Sequence, residues 1–451
     1  MVLKVYNTLT RKKEKFVPLK GKKVNIFVCG ITPYDSPHIG HAKTYVQFDF
    51  IVKYLMFNKY NVFYLQNITD IDDRIIEKAN SEKASWKEIS NKYSAEFLSM
   101  MKCLNVNSVT KYAKATDHIP EIVSQVTRLL EKGRAYKIDD GYYFDLKKFP
   151  DYGKLSGRTV LEAEDSISRI DESVSKKNRG DFCLWKFSGG NKPSWPSAIG
   201  NGRPGWHIED TSITEKYFGS QYDMHGGAID LVFPHHEAEI AQMESISGKK
   251  PLVRYWLHTG FLNVKGTKMS KSLKNFITIK EALDKYDYKV LRYFYLSKHY
   301  RSPIDFSYEL LEQSKNSLGR LNEFAMNSKG KKSGLKKSLI AKTKRGFYNA
   351  LNDDFDTPKA FSILFDFVRG SNKIGPNNEC YLFFKEIDNF FNIFSLDEEK
   401  APKKIIRLAN ERLKARENKD FSSADMLRLE INKLGYIVED SESGFRLKKR
   451  D

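Results

Sequence analysis

The stretch from Val24 to Tyr45, VNIFVCGITPYDSPHIGHAKTY, decides the fold of this chain. Its first five residues, 24–28, are typical of a buried strand, which we expect Cys29 and Gly30 to end. A proline-rich turn follows, and His38-Ile39-Gly40-His41 then opens an amphipathic helix. A strand, a loop and a helix N-terminus in this order attract anions through free N–H groups and the helix dipole. The two imidazoles could donate hydrogen bonds to phosphoryl oxygens, and a helix cap with two surface histidines is the alternative.

A second informative stretch, GTKMSKS at 266–272, lies far downstream. It brings Lys268 and Lys271 together with two serine hydroxyls in a compact loop. Such a loop can neutralise a triphosphate and the pyrophosphate that leaves from it. A solvated basic loop is the plain alternative in so lysine-rich a chain.

Together the two stretches resemble the signatures of the class I aminoacyl-tRNA synthetases, His-Ile-Gly-His and Lys-Met-Ser-Lys-Ser, which are both unbroken here. Within that class the chain resembles the cysteinyl-tRNA synthetase family, from about Val5 to near the C-terminus. The supporting stretches are Cys29–Asp35, Asn67–Asp73, Pro204–Glu209 and Phe233–Glu237. The resemblance implies ATP-dependent ligation of L-cysteine to tRNA-Cys through a cysteinyl-adenylate.

The same resemblance implies roles for individual residues. The catalytic residues are then His38, His41, Lys268 and Lys271. The residues expected to bind ATP, with Mg²⁺ accompanying the nucleotide, are Gly30, Ile31, Thr32, Gly40, Gly226, Gly227, Asp230 and Lys271. The residues expected at the substrate cysteine are Cys29, Thr69 and Trp206. Trp206 could equally be a buried core indole, and a glycine pair followed by an acid is a weak pattern by itself.

A possible metal site depends on His235 and Glu239. Pro234 suits a helix start, which would put these two residues at i and i+4 on one helix face, with His236 pointing elsewhere. In the cysteinyl family the matching residues bind Zn²⁺ with two cysteines, of which one is matched by Cys29. The other position is Asp210 here, which is a legitimate but harder ligand. We therefore expect a Zn²⁺ site of Cys29, Asp210, His235 and Glu239, against the alternative of a capped helix without metal.

Alternating strand and helix patterns predict an α/β fold with a doubly wound parallel, Rossmann-like sheet. We expect a connective insertion to split this sheet, and a helical bundle and a small C-terminal α+β domain to follow it. The predicted segments are 1–111 and 201–270 for the two catalytic halves, 112–200 for the insertion, 271–327 for a stem-contact region, 328–400 for the bundle and 401–451 for an anticodon-binding domain. In the last segment Arg412, Arg416 and Lys419 form either a phosphate-binding stripe or, more plainly, a solvated helix face.

Composition narrows the class of protein further. The 451 residues carry a net charge of +19, which favours a polyanionic partner such as tRNA, although general lysine enrichment would give the same balance. Four cysteines, at positions 29, 103, 183 and 380, are too scattered for a disulfide framework, so a reducing compartment is expected. With no long apolar run, we expect a cytoplasmic monomer without a membrane span.

Two rival functions stay open on the sequence. One is a cysteine ligase that uses the same adenylate chemistry on an amino sugar, which the basic linker and the full C-terminal tail argue against. The other is a catalytically silent, synthetase-like nucleic-acid-binding protein, which the intact histidines and lysines argue against.

Overall fold

The computed structural model describes residues 2–158, 175–189, 192–264, 266–269, 275–332, 334–396, 402–441 and 444–449. Its strands in chain order are β1 (Lys4–Asn7), β2 (Lys12–Lys15), β3 (Lys23–Ile31), β4 (Asn61–Ile68), β5 (Lys111–Lys114), β6 (Ala135–Ile138), β7 (Gly141–Phe144), β8 (Phe182–Phe187), β9 (Gly202–Pro204), β10 (Tyr222–Ala228), β11 (Val253–Thr259), β12 (Leu262–Val264), β13 (Thr267–Lys268), β14 (Ile304–Phe306), β15 (Tyr436–Ser441) and β16 (Gly444–Lys449). Its helices are α1 (Ile39–Phe57), α2 (Asp73–Glu82), α3 (Trp86–Cys103), α4 (Ile119–Glu131), α5 (Ile208–Phe218), α6 (Glu237–Ser247), α7 (Ile279–Leu283), α8 (Tyr288–Leu296), α9 (Tyr308–Ser328), α10 (Lys337–Asn352), α11 (Thr357–Asn372), α12 (Asn378–Phe391), α13 (Lys403–Glu417) and α14 (Phe421–Lys433).

A parallel five-stranded sheet has the order β11-β10-β3-β4-β5. It belongs to the first of two compact units, Met1–Phe394. The chain lays down β3, β4 and β5 in one direction and later adds β10 and β11 on the other side of β3. The connections therefore reverse direction between β3 and β10. In sheets of this kind ligands bind at such a switch point, beyond the carboxyl ends of the strands. The predicted doubly wound architecture is confirmed.

The central strand β3 runs further than the sequence pattern predicts. Cys29 and Gly30 do not end it, because the strand continues to Ile31. The amide of Gly30 donates to Asn67 Oδ1 at 2.5 Å, and a Cβ at Gly30 would lie 1.7 Å from the carbonyl oxygen of Asn67. Glycine thus allows β3 and β4 to approach closely where their register shifts, between Val28 and Ile31. Cys29 therefore lies within β3 and not in the turn that follows it.

The insertion folds as an antiparallel sheet in the order β6-β7-β8-β9. Its strands β6 and β7 form a hairpin with its turn at residues 139–140, because Gly141 already pairs with Ile138. Cys183 is buried on β8, as expected for a core thiol. A smaller sheet in the order β13-β12-β14 follows the central sheet and carries Lys268.

Beyond the sheets the chain is helical. Helix α11, for example, begins at Thr357: Asp356 is its N-cap and accepts from the amide of Lys359.

The chain divides into two compact units, Met1–Phe394 and Ser395–Asp451. The finer division into six segments stays a prediction. None of the helices in the described ranges is long and apolar enough to cross a membrane.

The second unit contains α13, α14 and the antiparallel pair β15–β16, in the predicted order of two helices and two strands. Its small core is formed by Ile405, Leu408, Ala409, Ile431 and Val438. Arg412 fits neither sequence interpretation, because only 1% of it is exposed and its guanidinium pairs with Asp440 at 2.7 Å. Arg416 Nη1 pairs with the same carboxylate at 2.8 Å, so both arginines stabilise the unit.

Candidate active site and metal centre

The His-Ile-Gly-His turn lies at the N-terminus of α1. His38 is the N-cap, and its Nδ1 accepts from the amides of Gly40 and His41 at 3.1 and 3.3 Å. His41 Nδ1 accepts in return from the amide of His38 at 3.3 Å. The two rings are stacked, with centroids 3.7 Å apart. A Cβ at Gly40 would lie 2.9 Å from the ring of His38, so this turn needs glycine.

This cap leaves the imidazoles able to bind an anion. Because Nδ1 of each ring accepts a hydrogen bond, the proton of a neutral ring must be on Nε2, which is then a donor. Burial, followed by the neighbouring His38, holds the pKa of His41 well below its usual range. His41 is therefore neutral near pH 7. The helix cap and the anion site, which were alternatives on the sequence, are compatible here.

The lysine stretch and the residues that follow it both contact the same turn. A Cβ at Gly40 would lie 3.7 Å from Met269 Cε. Further along the chain, Thr278 forms an isolated β-bridge with His38, and the amide of Ile39 donates to the carbonyl of Ile277 at 3.1 Å. The backbone of Lys268 lies in β13, whereas Lys271 falls outside the described residues.

The four predicted metal ligands lie together. Cys29 Sγ is 3.5 Å from Asp210 Oδ2 and 3.9 Å from Glu239 Oε1. His235 Nε2 is 2.9 Å from Asp210 Oδ2 and 3.1 Å from Glu239 Oε1. All four residues are buried, and their ligand atoms lie within 4.8 Å of one another. Strand β3, helix α5, the segment leading into α6 and α6 itself thus supply one compact set of donors.

The chemistry of this set fits a cation. Burial, followed by the nearby carboxylates, raises the pKa of Cys29 and of Glu239 well above their usual ranges. Asp210 Oδ1 is buried and has no hydrogen-bond partner among the described residues. Closely spaced buried acids with an unsatisfied oxygen are unfavourable unless a positive charge compensates them. Thiolate, imidazole and carboxylate are all Zn²⁺ ligands, so the donor set fits this ion.

Two further histidines reach the same thiol, and the sequence interpretation missed them. Cys29 Sγ lies 3.1 Å from His236 Nε2 and 3.3 Å from His225 Nε2, and these three residues form a second possible donor set with Glu239. The prediction that His236 points elsewhere is wrong. It assumed a regular α-helix from Pro234, but Val232–His236 form a π-helical turn ahead of α6, and Phe233 within this turn has extended dihedral angles.

A hydrogen-bonded relay orients these histidines. His236 Nδ1 lies 2.8 Å from His258 Nε2, and His258 Nδ1 lies 2.8 Å from Thr8 Oγ1. His225 Nδ1 lies 2.7 Å from the hydroxyl of Tyr222. Burial lowers the pKa of His258 to about 3 and holds those of His225 and His236 well below their usual range. All three rings are neutral near pH 7, so each can offer a lone pair.

The residues predicted at the substrate cysteine border this cluster. The ring of Trp206 is partly exposed and lies 4.6 Å from that of His235, centroid to centroid, so Trp206 is not a fully buried core residue. The hydroxyl of Thr69 donates to the buried carboxylate of Glu209. Glu209 was missed on the sequence. It precedes Asp210, and burial, followed by that neighbour, raises its pKa well above the usual range.

Three of the residues predicted to bind ATP lie on or after β10, which is the neighbour of β3 at the switch point. Gly226 and Gly227 lie on β10, and Asp230 is exposed just after its carboxyl end. A Cβ at Gly226 would lie 2.3 Å from the ring of Phe48, so glycine is required there by packing against α1. Gly30 and Ile31 end the adjacent strand β3, and Thr32 follows it. These six of the predicted ATP residues thus lie on or just after two neighbouring strands, whereas Gly40 is at the start of α1.

Comparisons with known proteins define the class. Residues 15–316 match the model of the class I (C) tRNA synthetase catalytic domain, residues 346–381 the DALR domain, and residues 401–446 the cysteinyl-tRNA ligase anticodon binding domain. A methionyl-tRNA synthetase from Mycobacterium tuberculosis in complex with methionyl-adenylate has the same fold, with a TM-score of 0.61 and 16% identity over 83% of this chain and 88% of that one. A LeuRS from Agrobacterium radiobacter K84 in a ternary complex gives a TM-score of 0.62 and 10% identity over 84% and 85% of the two chains. The fold and the two signatures define a class I aminoacyl-tRNA synthetase.

Full-length relatives narrow the class to one family. A cysteine–tRNA ligase from Thermococcus gammatolerans is 42% identical over 98% of each chain. One from Methanococcus maripaludis strain C7 is 43% identical, also over 98% of each chain. The chain belongs to the cysteine–tRNA ligase family and is an enzyme of that family.

Proposed function

We propose that this chain joins L-cysteine to tRNA in two steps at the carboxyl end of the central sheet. The observation that carries the proposal is that Met269 of the lysine stretch and the residues Ile277 and Thr278 after it contact the His-Ile-Gly-His turn, which follows the strand β3 that carries the buried Cys29 cluster. ATP first activates the amino acid as cysteinyl-adenylate. The cysteinyl group then passes to tRNA-Cys.

In the first step the carboxylate of cysteine attacks the α-phosphorus of ATP, a new oxygen–phosphorus bond forms, and pyrophosphate leaves. His38 and His41 donate hydrogen bonds from Nε2 to phosphoryl oxygens, and these bonds strengthen as charge develops in the transition state. Lys268 and Lys271 neutralise the triphosphate and the leaving pyrophosphate. The residues that contact ATP, which arrives with Mg²⁺, are Gly30, Ile31, Thr32, Gly40, Gly226, Gly227 and Asp230.

In the second step a terminal ribose hydroxyl of the tRNA attacks the carbonyl carbon of the adenylate, and AMP leaves. The insertion around β6–β9 holds the acceptor end, and the second unit reads the anticodon. The net charge of +19 favours binding of this polyanion. We also propose that the chain acts in the cytoplasm as a monomer, where its scattered cysteines stay reduced.

Selection of cysteine is assigned to the buried cluster. Cys29, Asp210, His235 and Glu239 would hold Zn²⁺, and the bound ion would favour the substrate thiolate over the hydroxyl of serine. Trp206 forms a wall of the pocket and excludes water from it. Thr69 and Glu209 lie at its polar edge.

Metal analysis tests this ligand set. We expect Glu239→Gln and Asp210→Asn to bind Zn²⁺ at least about tenfold more weakly than the wild type, because each removes a charged ligand. Asp210→Cys should bind it at least as tightly as the wild type, since thiolate suits Zn²⁺ better than carboxylate. The measurement is Zn²⁺ retained per chain against a chelator series.

Glu237→Gln is the matched control for Glu239→Gln. Glu237 lies on the same helix and is equally buried, but its oxygens accept from the amides of Gly153, Leu155 and Ser156. We expect it to retain Zn²⁺ like the wild type. Equal Zn²⁺ affinity for Glu239→Gln and the wild type would remove Glu239 from the ligand set.

The overall activity is tested by cysteine-dependent exchange of labelled pyrophosphate into ATP, followed by charging of tRNA. We expect exchange with cysteine and Mg·ATP, and charging of tRNA-Cys. Exchange without any charging of tRNA, but with transfer to an amino sugar, would support the alternative ligase. Binding of tRNA without exchange would support a catalytically silent protein.

A further inference from the structure

Lys43 is a fully buried lysine on α1, two residues after His41, and only 1% of it is exposed. Its Nζ donates to the carbonyl of Gly260 at 2.6 Å, to the carbonyl of Tyr300 at 3.3 Å and to Gln47 Oε1 at 3.2 Å. These partners, among the residues that the structure describes, are uncharged oxygens. Burial lowers the pKa of Lys43 to about 7, and the ammonium form has one N–H donor for each of these three oxygens.

Gly260 is the point from which the chain departs towards the lysine stretch. It lies between β11 and β12, and β12 leads directly to β13 with Lys268. Its amide donates to the carbonyl of Tyr300 at 2.9 Å. A Cβ here would lie 2.5 Å from the carbonyl of Ser302 and 2.6 Å from that of Arg301, so the backbone is closely held on that side. Lys43 holds it on the other.

The far end of the same segment is also attached to the start of α1. The amide of Ile279 donates to the carbonyl of Pro37 at 2.9 Å, next to the contact between Ile39 and Ile277 already described. A hydrogen bond of 3.0 Å between the hydroxyls of Thr44 and Thr259 fixes the chain just before Gly260. The segment 260–278 therefore leaves from and returns to the first two turns of the helix that carries His41.

We propose that Lys43 is a positioning residue for the activation of cysteine: by holding the carbonyl of Gly260, it sets where β12 and β13, which carry the backbone of Lys268, stand relative to His38 and His41. It touches neither substrate and acts through the backbone of Gly260 and of these two strands. Displacements of about 1 Å at a reacting centre lower rates by about a hundredfold. The inference rests on the proposed role of Lys268 and Lys271 at the triphosphate.

The test compares Lys43→Met with Lys53→Met. Lys53 is on the same helix, is largely buried, and pairs with Asp49 at 2.9 Å, so its loss lowers stability without reaching Gly260. We expect Lys43→Met to lower kcat of pyrophosphate exchange about 10- to 100-fold, with KM for cysteine changed less than about twofold. Lys43→Arg, which keeps donors at this position, should recover most of the lost kcat. Lys53→Met should lower the melting temperature and keep kcat within about twofold.

A double variant shows whether Lys43 acts through the lysine stretch. Lys43→Met combined with Lys271→Ala should be no slower than Lys271→Ala alone, whereas independent effects would multiply. Multiplied losses, an unchanged kcat in Lys43→Met, or equal losses in the Lys43 and Lys53 variants would overturn the inference. Full activity of Lys271→Ala would instead overturn the proposed role of the lysine stretch. If Lys43→Met does not fold, Lys43→Gln is judged by the same criteria.

Discussion

Replacing His41 by asparagine should lower kcat of cysteine-dependent pyrophosphate exchange about 10²- to 10³-fold, the loss typical of one donor to a developing negative charge. His41 is neutral because burial holds its pKa low, and its Nδ1 is engaged with the amide of His38. The variant removes the Nε2 donor, while the asparagine oxygen can still accept from that amide. Steady-state exchange kinetics measure the effect.

Two further variants separate catalysis from capping. His41→Ala should lose the same activity and about 1 kcal/mol of stability in addition, because the return bond of the cap is lost. His118→Asn is the control, since His118 is a histidine at the start of another helix, α4, where it is the N-cap but its side chain makes no cap hydrogen bond. It should keep exchange within about twofold. Full exchange by His41→Asn would show that this turn is a cap and no more.

The sequence predicted the sheet and the two signatures because both are local patterns. Alternating strand and helix patterns sufficed for a parallel sheet, and the loops beyond its carboxyl ends must then meet at one edge. Cys29, Asp210, His235 and Glu239 come from distant positions, and the resemblance to the cysteinyl family brought them into one prediction. The structure then showed that their donor atoms do converge.

The second donor set depends on geometry that no periodicity reports. His236 lies in a π-helical turn ahead of the regular α-helix that begins at Glu237, and from there its Nε2 comes within 3.1 Å of Cys29 Sγ. His225 reaches Cys29 and His258 reaches His236 because β10 and β11 are neighbours in the sheet, and local sequence patterns do not encode this strand order. A usable signal was present all the same, since a histidine on each of two apolar strands is unusual in a core.

Replacing Arg292 by methionine should destabilise the first unit by about 3–5 kcal/mol, because it leaves a buried carboxylate and three carbonyls with fewer partners. The fully buried guanidinium pairs with Asp49 at 2.8 Å. It also donates to the carbonyls of Phe391, Leu104 and Asn105 at 3.1 to 3.2 Å. One side chain therefore joins α1, α8 and the ends of α3 and α12. Urea denaturation at pH 7 measures the loss.

The pH dependence distinguishes a lost ion pair from a lost fit. Burial raises the pKa of Asp49, but Arg292 and then Lys53 outweigh it, so the pKa lies below the usual 3.8. The stability that this depressed pKa contributes is fully present above pH 3.8, the usual value. It is lost as the pH falls through the lower pKa of Asp49 in the folded protein. In Arg292→Met burial prevails and the pKa of Asp49 rises, so Asp49 is protonated at a higher pH in the variant than in the wild type. Protonation removes the unpaired buried charge and so stabilises the variant. The difference in unfolding free energy should therefore narrow from pH 7 to pH 4. Lys280→Met, which breaks an exposed pair with Asp284, should have the same free energy of unfolding as the wild type, within experimental error, at both pH values. A difference for Arg292→Met that is equal at both would assign its effect to packing alone.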